Sequence, residues 1–279
     1  MPTVPHADPR EQLARIAAQP EPTIDLVEAA LWIAADAQPG LEIAPYLDWF
    51  DRAASQALDY LERAAGEREQ IAGLLAFLYE REGFTGNTGD YYDPRNSYLN
   101  QVIDRRTGIP ITLAVVVLGL AERLGLRLRG VSFPGHFLVR HAEDDALIVD
   151  PFSGRLLAER ELAERLAETL GPGTVVTPEL LAPAPHREVL ARMLRNLKQI
   201  HLRRHELERA LALCDLTLLF APRTAADWRD RGLVHRELEC FPEALADLER
   251  SLSLGAAPDE REALERLIAD LRTRALRIN

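Results

Sequence analysis

Apolar residues recur at intervals of three and four between residues 24 and 82, which is the spacing that one face of an α-helix requires. The pair Pro39-Gly40 interrupts this pattern and separates the first helix from the second. We therefore predict three helices here and assign residues 23–95 to an N-terminal helical layer. Residues 1–22 are predicted to be a leader with a short helix over 9–18.

Residues 83–96 are rich in glycine, asparagine and aspartate, so they are predicted to form a loop. A short helix is predicted over 97–105, and a second helix begins at Pro110 and ends at Gly125. This second helix is apolar on nearly every face, so we expect it to be buried at the centre of its domain.

Short runs follow at 127–133, 136–141 and 146–150, and they predict three antiparallel strands. A further amphipathic helix is expected over 157–170. Helices beside a small antiparallel sheet define an α+β core, which we assign to residues 96–185.

The last segment contains an internal repeat. Two similar phrases are centred on Ala210 and Ala244, 34 residues apart, and this is the period of the tetratricopeptide repeat. The small residue of the repeat signature is present in the second unit as Gly232, whereas Lys198 takes its place in the first. We assign residues 186–279 to all-α tetratricopeptide-type repeats with a capping helix.

The formal charge of the 279-residue chain is −11, and it has no block of lysine and arginine long enough to follow a phosphate backbone. We therefore expect no nucleic-acid partner. The longest apolar run, residues 109–121, is shorter than the roughly 20 residues that cross a bilayer, so no membrane association is expected. The first residues lack the features of a signal peptide, which favours a cytoplasmic protein. Two cysteines and no cysteine–histidine cluster predict no metal site, and no cofactor is expected.

The run from Gly108 to Pro151 combines GIPIT at a helix start, PGH before a strand and DP after one. It resembles the transglutaminase-like, papain-like fold. In that fold a cysteine opens a buried helix, a histidine begins the next strand and an aspartate ends another. The resemblance implies that His136 and Asp150 occupy the positions of the catalytic histidine and aspartate. In such a triad the imidazole takes the thiol proton and the carboxylate orients the imidazole.

The cysteine of that triad is missing, because its position falls on Pro110, which carries no nucleophile. Thr112 lies two residues later and about 200° around the helix, so it can replace the cysteine only if the backbone shifts. Cys214 and Cys240 lie in the repeat segment and are expected to behave as small hydrophobic residues. The predicted dyad of His136 with its aspartate is therefore vestigial, and Thr112 is the alternative nucleophile.

The motifs NSYLN, RRTGIPI and FPGHFLVR, followed by a tetratricopeptide tail, are similar to those of the bacterial SirB-type proteins. The similarity covers about residues 25–275. It implies an α+β, mostly helical protein with a transglutaminase-like core, a small antiparallel sheet and then all-α repeats. It also implies that the missing cysteine is a family trait.

Four polar residues near the central helix are candidate binding residues for a pocket beside His136: Tyr92, Asn96, Asn100 and Arg106. Asn96 has a simpler interpretation as a helix N-cap. Arg106 has one as a partner for a surface carboxylate.

Three functions stay open at this point. The first is a non-catalytic adaptor that binds another protein or peptide through its repeats. The second is a ligand- or peptide-binding module that uses the cleft beside His136. The third is a cysteine-independent hydrolase or acyl transferase that uses Thr112 or a water activated by His136. The missing nucleophile favours the first. The sequence leaves enzyme activity, the identity of any partner and the oligomeric state undecided.

Overall fold

The computed structural model describes residues 7–62, 64–255 and 257–278, without the side chains of 258, 259 and 274–278. The chain forms two compact units, which divide between Val189 and Leu190. The first six residues of the predicted leader lie outside the described residues. Among the described helices, none combines the length and the apolar character that crossing a bilayer requires.

The first unit combines helices with short strands. Its helices are α1 (Pro9–Ala18), α2 (Leu26–Ala37), α3 (Ala44–Leu61), α4 (Glu67–Leu75), α5 (Leu99–Arg105), α6 (Pro110–Arg123) and α7 (Glu159–Leu170). Its strands are β1 (Thr85–Gly86), β2 (Thr107–Gly108), β3 (Leu128–Val131), β4 (Leu138–His141), β5 (Ile148–Asp150) and β6 (Arg155–Leu157). Strands β3 to β6 form one antiparallel sheet in chain order, and β1 and β2 form a parallel pair.

The central helix of this unit is α6, as its apolar sequence predicts. Nearly all of its residues are buried. A methyl group added at Gly119 would overlap Val27 of α2 and Phe50 of α3, so these helices approach α6 closely and share one core with it. The helix ends as predicted, because Gly125 adopts the left-handed conformation (φ 70°) just beyond its last turn.

The antiparallel sheet packs one face against α7. Val131, Leu138 and Ile148 of the strands form a buried cluster with Leu162 and Leu166 of α7. These apolar contacts fix the helix relative to the sheet. They also bring the polar side chains of α7 next to the loop that follows β5.

The sheet is larger than the sequence predicts. A fourth strand, β6, pairs antiparallel with β5, and it delays the start of α7 to Glu159. The prediction of three strands is therefore wrong in number, because the sequence pattern assigns Leu157 to the amphipathic helix and the two residues before it show no alternation. The parallel pair of β1 and β2 has two residues in each strand and carries no pattern at all.

The second unit is entirely helical in its described residues. It contains the end of α8 (His186–Arg203), then α9 (Leu207–Phe220), α10 (Ala225–Glu237), α11 (Phe241–Ser253) and α12 (Pro258–Ile278).

The backbone of this unit repeats at the period that the sequence predicts. The N–H of Glu206 donates to the carbonyl of His201 at the end of α8. The N–H of Cys240, 34 residues later, donates to the carbonyl of His235 at the end of α10. The residue before each donor has a positive φ, which is the usual way to end a helix with such a bond. Tandem helical hairpins therefore share one turn geometry.

Gly232 and Lys198 occupy equivalent places in the two hairpins and pack differently. A methyl group at Gly232 would overlap Leu248 of α11, so only glycine fits there without a shift. Lys198 is buried, and its Nζ lies 2.5 Å from the carboxylate of Asp230 and 3.9 Å from that of Asp227. A buried ion pair between α8 and α10 thus stands where the second hairpin has a small residue.

Candidate functional site

The start of α6 is occupied by a proline and a hydrogen-bonded threonine. Pro110 is buried and is the first residue of the helix, where its missing N–H leaves no donor unpaired. The hydroxyl of Thr112 donates to the carbonyl of Asn96 (2.7 Å) and accepts from the N–H of Ile109 (3.2 Å). A nucleophilic role for Thr112 would require its hydroxyl to leave both partners, and the side chain is fully buried.

The loop before α5 is held together by the side chain of Asn96. Its amide is buried, donates to the carbonyl of Asp90 (2.7 Å) and accepts from the amide of Asn87 (3.1 Å). The interpretation of Asn96 as a helix N-cap is wrong, because the N-cap of α5 is Tyr98. Asn96 instead ties the loop to α6 through the hydroxyl of Thr112.

The predicted histidine lies in a turn and not on a strand. His136 precedes β4 by two residues, and its N–H donates to the carbonyl of Phe133 (3.1 Å). Gly135 beside it has φ 69°, and a methyl group there would overlap the side chain of Thr169 on α7. The close approach of α7 leaves the side chain of His136 half-buried.

The predicted aspartate is buried and fully engaged. Asp150 ends β5, and one carboxylate oxygen accepts from the N–H of Phe152 (2.9 Å). The other oxygen accepts from the hydroxyl of Ser153 (2.6 Å) and from the guanidinium of Arg165 on α7 (2.8 Å). A buried carboxylate needs such partners, because an unpaired charge away from water is strongly unfavourable.

A cavity of about 370 Å³ is lined by both His136 and Asp150. Its other walls come from the loop after β5, from β6 and from α7: Phe152, Ser153, Arg155, Glu161, Glu164, Arg165 and Glu168. Arg155 pairs with Glu161 (2.5 Å), so each arginine of the wall has a carboxylate partner within it. The cavity therefore offers an imidazole, a hydroxyl and carboxylates to a small polar group.

Ser153 and Arg165, the two wall residues whose side chains bond to Asp150, are among those that the sequence does not predict. Ser153 follows the DP motif that marks Asp150, and this closeness in sequence is the one signal that could have drawn attention to it. Arg165 lies on the polar face of an amphipathic helix, where most arginines are solvated. Only the packing of α7 on the sheet shows that it reaches Asp150.

The four predicted binding residues are absent from the described walls of this cavity. Asn100 exchanges two hydrogen bonds with the amide of Gln38 (2.9 and 3.2 Å). Arg106 pairs with Glu82 (2.9 Å) and covers the ring of Trp49. Tyr92 is half-exposed, and its ring packs edge-on against that of Tyr91. Asn96, described above, is buried in the loop. Their proposed part in binding stays a prediction.

The two cysteines lie in the second unit. Cys214 is buried, and burial raises the pKa of its thiol to about 12, so it stays protonated at neutral pH. Cys240 is partly exposed at the N-cap of α11.

Comparison with protein families assigns the two units to two different families. Residues 44–195 match the family described as transglutaminase-like superfamily, and residues 197–269 match a tetratricopeptide repeat family.

Similar proteins from bacteria identify the family within this superfamily. A UPF0162 protein of Xylella fastidiosa (strain Temecula1) is 42% identical over 83% of this chain and 84% of its own length. A UPF0162 protein of Pseudomonas aeruginosa is 36% identical over 95% of this chain and 96% of its own length. Protein SirB1 of Salmonella typhimurium is 32% identical over 72% of this chain and 76% of its own length. The chain belongs to this transglutaminase-like family of SirB1 and UPF0162 proteins.

Proposed function

We propose that this protein is a non-catalytic member of the transglutaminase-like superfamily that binds another protein through its tetratricopeptide repeats. The observation that carries the first half is the start of α6. Pro110 is buried at the position that the family resemblance gives to the cysteine, and the hydroxyl of Thr112 is already hydrogen-bonded to Asn96. A nucleophile must reach both its base and its substrate. Proline has no nucleophilic atom, and the hydroxyl of Thr112 is buried and occupied by its hydrogen bonds, which supports a non-catalytic role.

The second half rests on the repeats. Tandem helical hairpins commonly offer an extended surface to a partner protein. The residues from 197 to 269 match such a repeat, and the turns of the two hairpins share one geometry.

The catalytic half is tested with purified protein. Release of ammonia from glutamine-containing peptides and ester hydrolysis are measured for the natural chain and for His136→Ala. We expect both proteins to give the rate of buffer alone. Turnover that His136→Ala abolishes would overturn the proposal, because it would show an active imidazole.

The binding half is tested by photocrosslinking in cells. One photoreactive residue replaces Gln199, Glu237 or Glu262, which are exposed on α8, α10 and α12. Matched control proteins carry it at Leu58 or Val175, which are exposed in the first unit. We expect one protein to be captured from several repeat positions and from neither control position. Capture only from the control positions, or from no position, contradicts a partner on the repeats.

A second function, ligand binding beside His136, is favoured by one observation: the cavity that joins His136, Asp150 and Ser153. The probe is N-acetylglutamine methylamide, followed by the amide NMR signals of residues 152–154. We expect these signals to shift in the natural chain and to stay unchanged in His136→Phe, which removes the polar atoms of the imidazole from the cavity wall. Unchanged signals in the natural chain at millimolar probe would exclude binding of this class of ligand.

A further inference from the structure

The chain leaves α-helical geometry at the end of α4. Residues Ala76–Arg81 form a π-helical segment, and the N–H of Glu82 donates to the carbonyl of Phe77, five residues earlier (2.9 Å). A π-helical turn holds one more residue than an α-helical turn, so the side chains within the segment point in directions that a continued α-helix would not give them. Such segments are rare, and they occur frequently at functional sites.

The segment aims one side chain at the loop after β5. The hydroxyl of Tyr79 donates to the carbonyl of Pro151. The ring of Tyr79 lies against Gly154, which has φ 70°, and a methyl group at Gly154 would overlap the ring. Tyr79 therefore contacts the loop at two points, and these points lie on either side of Ser153.

The loop between those two points carries part of the cavity wall. The wall residues Asp150 and Ser153 directly precede Pro151 and Gly154, the two residues that Tyr79 contacts. Contacts that hold Pro151 and Gly154 therefore also restrict Asp150 and Ser153. The backbone N–H of Gly154 also donates to the carbonyl of Asp150 (2.9 Å), which closes the loop into a tight turn. The ring of Phe152 in the same loop lies against Gly86 of β1, and a methyl group added at Gly86 would overlap this ring.

The phenol of Tyr79 stays a donor across the whole physiological range. Burial raises its pKa, and the negative charge of Asp150 raises it further. Because the phenol is not ionised, its proton is always available to the carbonyl of Pro151.

We propose that Tyr79 is the positioning residue of the cavity beside His136, and that the π-helical turn exists to aim it. Its hydroxyl and ring hold the 150–154 loop, and this contact keeps Asp150 and Ser153 in place in the wall that they share with the imidazole. The proposal rests on the second candidate function, ligand binding in this cavity, and it assigns a role to a residue outside the cavity.

The test compares Tyr79→Phe with a matched control, Tyr46→Phe. Both changes remove one tyrosine hydroxyl from the first unit, and the hydroxyl of Tyr46 donates to Asp104 (3.0 Å) elsewhere in it. Amide hydrogen exchange at Phe152 and Gly154 is measured, together with the imidazole carbon signal of His136, identified by its loss in His136→Gln. Neither measurement needs a ligand.

In Tyr79→Phe we expect exchange at Phe152 and Gly154 to rise about tenfold, which is the effect of losing one buried hydrogen bond, and the His136 signal to shift. Tyr46→Phe should change neither. The proposal is overturned if Tyr79→Phe lowers global stability but leaves both readouts as in Tyr46→Phe.

Gly154→Ala provides a second variant, because its methyl group would overlap the Tyr79 ring and the φ of 70° at this position adds backbone strain to the same loop. We expect the same change in exchange at Phe152, and an unchanged loop in this variant would also contradict the proposal. If the loop responds to these changes while N-acetylglutamine methylamide fails to bind, the ligand-binding function is wrong and the positioning role of Tyr79 stands.

Discussion

The start of α6 and the helix α10 both hold buried polar side chains, but they use opposite chemistry. At the start of α6 the polar groups are neutral. The hydroxyl of Thr112 bonds to the backbone of Asn96 and Ile109, and the side-chain amide of Asn96 donates to the carbonyl of Asp90. In α10, buried or half-buried charges pair with four other helices, through Arg195 and Lys198 of α8, Asp215 of α9, Asp247 of α11 and Glu260 of α12.

The two regions therefore differ in how strongly their stability depends on charge and on the presence of each partner. A neutral network fixes geometry without any group that titrates near neutral pH, so the start of α6 is a rigid end of a core helix. The charged network of α10 depends on every partner being present, because a buried charge that loses its partner is strongly destabilising.

The largest effect is expected for Asp227→Ala. Its buried carboxylate accepts two hydrogen bonds from Arg195 (2.9 and 2.7 Å) and faces the buried Lys198. Removing it leaves these cations without a full set of partners, so the free energy of unfolding should fall by about 3–5 kcal/mol. Urea denaturation measures the change.

Asp215→Ala is the control for this prediction. Asp215 is half-exposed and makes one ion pair, with Arg231 (2.8 Å). Its loss should lower the free energy of unfolding by less than about 1 kcal/mol. Equal effects of the two changes would mean that the α10 network behaves as a set of ordinary surface pairs.

A smaller loss is expected for Thr112→Val at the neutral network. Valine keeps the shape of the side chain but leaves the carbonyl of Asn96 and the N–H of Ile109 without their buried partner. The free energy of unfolding should fall by about 1–3 kcal/mol. Thr112→Ser keeps the hydroxyl and should recover part of that loss. A Thr112→Val protein as stable as the natural chain would show that the hydroxyl is not a structural group.

Much of the first unit follows from the sequence, because its elements are long enough to show a period. The apolar residues of α6, its first residue Pro110 and the glycine beyond its end are together sufficient to define that helix. The same holds for the 34-residue repeat, since small residues and turn geometry recur together. The family resemblance adds His136 and Asp150, which the fold brings to one cavity.

The rest depends on contacts between residues that are distant in sequence. Asp150 meets Arg165 only because α7 packs on the sheet, and Asn96 meets Thr112 only because the loop folds back on α6. The π-helical turn that carries Tyr79 has no sequence signal, because the apolar residues of α4 and of the turn recur at the spacing of an ordinary α-helix. The strand β6 is missed for a related reason, since only its pairing with β5 separates Leu157 from the helix that follows.

A pH dependence is expected beside the charged network and not at the neutral one. Burial raises the pKa of Cys214 from its ordinary 9.0 to about 12, and the charge of Lys198 opposes the rise. The folded state therefore binds the thiol proton more tightly than the unfolded state. This contribution to stability is complete below about pH 9 and is lost as the pH rises to about 12.

The free energy of unfolding should fall by about 1.4 kcal/mol per pH unit across this window on account of Cys214. Cys214→Ala should remove that share of the slope when urea denaturation is repeated at pH 8, 9 and 10. Cys240→Ala is the control and should leave the slope unchanged. A slope that is identical in all three proteins would contradict the burial of the thiol.

The smallest change in the free energy of unfolding is expected when an ion pair of the second hairpin is replaced by the apolar residues found at the equivalent positions of the first. Arg231 bonds to Asp247 through two hydrogen bonds (2.7 Å each), and the residues 34 positions earlier are two buried leucines, Leu197 and Leu213. The double change Arg231→Leu with Asp247→Leu should leave the free energy of unfolding within about 1 kcal/mol of the natural value. This follows because replacing a buried ion pair by well-packed apolar residues is often neutral or stabilising.

Asp247→Leu alone is the matched comparison, because it leaves Arg231 with only the exposed Asp215. It should lower the free energy of unfolding by about 2 kcal/mol, somewhat less than the loss of a fully buried partner. A double variant that is less stable than this single variant would show that the ion pair is required for the hairpin. In that case the two hairpins, despite their common turn geometry, would not be interchangeable in how their helices are held together.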